Sequence, residues 1–185
     1  MDLLKVKKEL SIKGKNGIAF LLAGAVVWLL IMLIFLQPIT IYQKNIFMLF
    51  STGLVFPLAI LASKLLNAEW KFEGNPLASL GVYLNVAQII YFPLVLWAIV
   101  NSPNEAVYFF AVIVGAHFFP YGWFYNAKPY YIMAPFITVA FMVIGWGLQG
   151  ERLWLIPMAM VLFLVILIGL LYVDYKKKAL HPDFH

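Results

Sequence analysis

Six apolar stretches, at residues 17–36, 46–63, 77–100, 105–125, 130–148 and 153–173, leave this chain few ways to fold. Each is close to the roughly 20 residues a helix needs to cross a hydrocarbon core of about 30 Å. Lipid offers no hydrogen bonds to a bare backbone, so the stretches are expected to be helices. The short alternating segments of a transmembrane β-barrel are absent. The expected fold is all-α, an integral membrane bundle of six transmembrane helices. Composition agrees: 64% of the residues are hydrophobic and 11% charged, against about 25% charged in soluble domains. So little chain remains between the stretches that one transmembrane domain over residues 1–185 is expected.

Lysine and arginine placement sets the expected orientation. With the N-terminus inside, the inner segments hold Lys5, Lys7, Lys8, Lys13, Lys15, Lys64, Lys71, Lys128, Lys176, Lys177 and Lys178, and the outer ones only Lys44 and Arg152. The asymmetry favours both termini in the cytoplasm and an even number of crossings. Trp97, Trp146 and Trp154 then fall near the outer interface, and Trp70 and Trp123 near the inner one. The first apolar stretch is longer than the roughly 7–15 residues of a secretory signal, and no small-x-small site follows Leu36. It is expected to remain as the first span. Residues 101–104 and 149–152 read as tight outer turns, 126–129 as a tight inner turn, and 64–76 as a short interfacial segment. The basic residues flank apolar stretches, so the bilayer is the expected partner and nucleic acid is not.

Within the fourth stretch, His117 is the one ionisable side chain that lies deep in any span. Polar groups in hydrocarbon are costly and mark candidate sites. The third and fourth stretches are joined by a short turn, so they should be antiparallel neighbours. At 1.5 Å per residue, Gln88 and His117 both lie about 18 Å below the outer surface, and Asn85 lies one turn deeper on the face of Gln88. Thr138 in the fifth stretch reaches a similar level. The expected ligand-binding set is His117, Asn85, Gln88, Thr138 and Tyr131, in a cavity between spans three, four and five. Interhelical hydrogen bonds from Asn, Gln and His also hold bundles together without any ligand. The alternative is therefore a non-catalytic membrane subunit or scaffold.

Pro57, Pro93, Pro120 and Pro135 lie inside spans, where each removes a backbone bond and kinks the helix; four in succession favour an internal cavity. Tyr121, Trp123, Phe124, Tyr125, Tyr130 and Tyr131 crowd the inner end of spans four and five. They suit an interfacial belt or the mouth of an amphipathic ligand site. Ala23, Gly24 and Ala25 allow close helix packing in the first span. The chain has no cysteine, no carboxylate inside a span, no phosphate loop, no HExxH and no Ser–His–Asp set. No metal, cofactor or catalytic residue is expected. The remaining expected partners are a small-molecule ligand and a second copy or another membrane protein.

Gly115-Ala116-His117-Phe118-Phe119-Pro120, followed by Tyr130-Tyr131, resembles a pattern in uncharacterised bacterial polytopic membrane proteins, which form families of unknown function. The resemblance covers mainly spans four and five. It implies a multi-pass protein of the bacterial cytoplasmic membrane and brings no activity with it. The chain does not resemble the hemolysin-III and adiponectin-receptor type, whose metal site needs several histidines, nor the five-span tryptophan-rich sensory proteins.

Overall fold

A computed structural model describes residues 2–148 and 150–180, apart from the side chain of Trp146. The expected positions of Trp146 at an interface and of Gln149 in a turn lie outside the described residues. Every regular element among those residues is helical.

The chain opens with α1 (Leu3–Lys13), capped by the Asp2 carboxylate, which accepts from the backbone N–H of Leu4. The basic N-terminal segment is therefore a helix of its own, where only flanking charge was expected. Its charge keeps it out of any apolar pattern, and the Lys7 ammonium sits 3.3 Å from the Trp123 ring centroid. A 3₁₀ turn (Lys15–Gly17) follows, with Lys15 and Asn16 both left-handed. Gly17 also has positive φ, and a Cβ there would stand 2.8 Å from the Tyr125 ring. No other residue type fits that corner without strain.

α2 (Ile18–Phe35) is apolar on every side and packs between α4 (Val55–Leu66) and α10 (Leu155–Leu180), with only Val26, Leu29 and Leu33 among its large side chains exposed. A helix hydrophobic all round belongs in such an interior. Of the small-residue patch, Ala23 is buried, while Gly24 faces Leu164 of α10 with room for a methyl group and lines the cavity described below. The expected second span is not one helix but two, α3 (Ile41–Thr52) and α4 (Val55–Leu66), bent by 43°. The break has a local cause. Ser51 and Thr52 donate their hydroxyls back to the carbonyls of Phe47 and Leu49, which bends helices. Pro57, which cannot donate to a preceding turn, then lies in the first turn of α4.

The third span is α5 (Ala78–Ile90) followed at once by α6 (Phe92–Asn101), and the fourth is α7 (Ala106–His117) followed by α8 (Phe119–Phe124). Pro93 and Pro120 occupy the first turns of α6 and α8. Three of the four intraspan prolines thus open a helix segment, and only Pro135 sits inside an unbroken helix, α9 (Lys128–Gly147). α10 (Leu155–Leu180) continues past the expected end of the sixth span, so the Lys176–Lys178 run is still helical. Five segments are long and apolar enough to cross a membrane, and six if the bent α3–α4 pair counts as one. Large apolar side chains such as Phe50, 77% exposed, and Leu65, 76% exposed, cover the outside. A water-soluble surface does not carry so many of them.

The α1 end and the tail of α10 meet. Lys178 donates to the Ser11 hydroxyl and to the carbonyls of Tyr125 and Asn126, and pairs with Asp174. This end of the bundle, called the terminal end below, also holds the 67–77 segment. That segment is strapped to α1: the Glu69 N–H donates to the Lys13 carbonyl, and the Asn75 amide donates to the Val6 carbonyl and the Glu9 carboxylate. The Lys13 ammonium, then the Asn75 amide, hold the Glu9 carboxyl below its usual range.

Candidate functional site

α5 stands off from most of the bundle. It packs chiefly on α7, and none of its residues is buried. The space it leaves against α2, α4, α7 and α8 is a cavity of about 910 Å³, within the range of small-molecule sites. It runs from the 69–75 strap at the terminal end to the level of Thr52, Gln88 and Trp28. Gly17 to Trp28 along α2 spans about 16 Å at 1.5 Å per residue, roughly half a bilayer core. All three proline-broken spans line it.

Of the expected site residues, the cavity brings together three. Asn85 and Gln88 reach it from α5 and His117 from the end of α7. They share a wall but are not bonded to one another. The Asn85 amide donates to the Gly81 carbonyl one turn back, at 2.8 Å. His117 Nε2 lies 3.3 Å from the Tyr121 hydroxyl, with the rings edge to face. Gln88 is partly exposed, and its side chain makes no hydrogen bond among the described residues.

Thr138 and Tyr131 are elsewhere. Thr138 donates to the Ala134 carbonyl and sits where α9 passes Gly115 of α7. Tyr131 lies over Gly122 and against Phe119, on the outer side of α8. The cavity is therefore bounded mainly by spans one to four, with Leu164 of the sixth span also lining it, and not by three, four and five. Depth along a helix is legible from residue counts, but the direction in which a side chain leaves it is not. The fifth span touches the cavity only through Tyr130.

Residues not foreseen as site residues make up most of the wall. Trp28 stacks on Phe110 at 5.1 Å, Phe92 meets Phe110 edge on, and Phe56 meets Trp70 edge on. Tyr121 lies four residues after His117, on the same helix face, a spacing that could have flagged it. Tyr121, Tyr125 and Tyr130 form a compact ring cluster with centroids 5.9–6.3 Å apart. Tyr125 and Tyr130 are buried, whereas Trp123 and Tyr131 stay exposed, so the aromatic crowd divides into a cavity wall and an outer belt. Ser63 of α4 also lines the cavity; it is 2% exposed, and its hydroxyl has no partner among the described residues. The charged lining residues, Glu69, Lys71 and Glu73, all belong to the strap at the mouth. No three His, Asp or Glu side chains among the described residues are grouped to hold a metal ion.

The chain matches the model of DUF7010, a family of unknown function, over residues 3–174. It belongs to that family. The match takes in α1, the strap and every cavity-lining helix, well beyond the span-four and span-five pattern that first suggested an uncharacterised family. No curated protein and no solved structure matches the chain significantly.

Proposed function

We propose that the chain is a six-span protein of the bacterial cytoplasmic membrane, its terminal end in the cytoplasm, that binds or carries a small molecule in the cavity between α2, α4, α5, α7 and α8. The observation that carries this reading is the composition of the wall. The Gln88 side chain has unused hydrogen-bonding capacity, and the Ser63 hydroxyl has no partner among the described residues, yet both line a space walled mainly by apolar side chains, many of them aromatic. Unpaired polar groups in an apolar interior are costly, and a ligand that pairs with them offsets the cost. The six-span topology is supported by the joint hydropathy of the bent α3–α4 pair, by the contact between α1 and the end of α10, and by the lysine asymmetry.

A second reading, a membrane subunit or scaffold, is favoured by Asn85, Thr138 and Thr52. Each is already satisfied by a carbonyl of its own helix and asks for no ligand. The absence of native cysteine gives a clean test. In the full chain, the Gln88→Cys variant should react with N-ethylmaleimide at least about tenfold faster than the Ala111→Cys variant, whose site is fully buried. Equal protection of the two thiols would favour the scaffold.

A further inference from the structure

We infer that the cavity's ligand is a neutral, ring-bearing lipophile whose carbonyl or hydroxyl oxygen sits beside Gln88 and His117; this rests on the cavity being a binding site at all. Charge decides the first part. Beyond the strap residues Glu69, Lys71 and Glu73, no carboxylate, lysine or arginine among the described residues lines the space. An ion carried to the level of Gln88 would lie unpaired in an apolar interior, at a cost that excludes it. The walls decide the second part. Trp28, Phe110 and Phe92 already pack stacked and edge on, and rings favour such contacts at centroid distances of about 4.5–7 Å. A flat ring system extends that arrangement where a flexible chain does not.

Hydrogen bonding decides the third part. The Gln88 amide offers two N–H donors and an acceptor, none engaged among the described residues. His117 uses Nε2 toward Tyr121, which leaves Nδ1. Asn85 keeps its oxygen and one N–H, because only one of its two amide N–H groups is tied to Gly81. The mid-cavity groups therefore match one or two ligand oxygens. A saturated chain at this level would leave the Gln88 amide unsatisfied. Access fits the same chemistry. α5 has no buried residue, and Phe56 of α4 and Val82 and Ile89 of α5 are exposed cavity-lining side chains. The space thus opens between two lipid-facing helices, where a neutral lipophile dissolved in the bilayer arrives without crossing water.

Three probes separate the outcomes, titrated calorimetrically into the full chain in nanodiscs, with empty nanodiscs as the blank. They are menadione (a neutral two-ring diketone), naphthalene-2-sulfonate (a charged two-ring analogue) and 1-decanol (a neutral chain). Menadione should bind saturably and quench the tryptophan emission. The Trp28→Phe/Trp70→Phe double variant should lose that quenching, since both indoles line the cavity. The Gln88→Ala variant, and Gln88→Met as a volume-preserving second variant, should weaken menadione about five- to tenfold, one hydrogen bond's worth. Unchanged affinity in both Gln88 variants would overturn the placement of the oxygen. Binding of the sulfonate or of decanol in preference to menadione would overturn the ligand class and leave the cavity reading standing. No saturable binding of any probe would sink both.

Discussion

Asn16 is a fully buried amide held in the left-handed conformation, and it joins four parts of the chain. Its side-chain nitrogen donates to the Leu171 carbonyl and the Asp174 carboxylate, and its side-chain oxygen accepts from Ser11. Its backbone carbonyl accepts from the Tyr130 hydroxyl at 2.8 Å. Each such bond contributes about 0.5–1.5 kcal/mol, and an orphaned partner costs about 1–3 kcal/mol. Asn16→Ala should therefore destabilise the protein by about 2–4 kcal/mol. Tyr130→Phe, which orphans one buried carbonyl, should cost about 1–2 kcal/mol. Denaturant unfolding in micelles measures both. Equal, near-zero effects would mean that the network does not hold the terminal end together. In the sequence Asn16 was invisible, because a single Asn before a Gly reads as loop punctuation. Lys178 was legible only as a positive-inside charge. Their meeting depends on residues more than 150 positions apart.

At the scale of the elements, the crossing of α7 and α9 depends on a missing side chain. A Cβ on Gly115 would stand 2.8 Å from Ile137 and 3.3 Å from the backbone nitrogen of Thr138. Without a hydrophobic force between helices in lipid, such close approach is what packs them. Gly115→Ala should destabilise by about 1–3 kcal/mol through overpacking. Gly147→Ala, with nothing within 4 Å of the new methyl, should change stability by less than about 0.5 kcal/mol. Thermal unfolding of the two variants side by side checks the contrast. Helix existence was legible because about 20 apolar residues leave the backbone no other solution in lipid. The broken second span was half legible: Pro57 announced a disturbance, while the back-bonding of Ser51 and Thr52 emerges only with the fold. α1 was missed because its lysines interrupt any apolar pattern.

For the whole molecule, the proposed sidedness rests on two independent facts, the contact between α1 and the end of α10 and the clustering of lysines around them. Single cysteines report it directly. In intact cells, an Asn104→Cys variant should react with an impermeant maleimide, and a Glu73→Cys variant should react only after the membrane is opened. The reverse pattern would invert the topology. The cavity belongs to this scale as well. Hydropathy and proline placement hinted at it, and depth counting brought Gln88, Asn85 and His117 to it. The aromatic side chains of α2 and α4 that wall it looked like any other span residues. An experimental map of the chain extracted from its own membrane is the most direct test of the binding cavity. Non-protein density beside Gln88 and His117, with α5 standing off from α2 and α4, is the expected result. An empty, closed interior, with α5 packed against α2 and the Gln88 amide bonded to a backbone carbonyl, would contradict it.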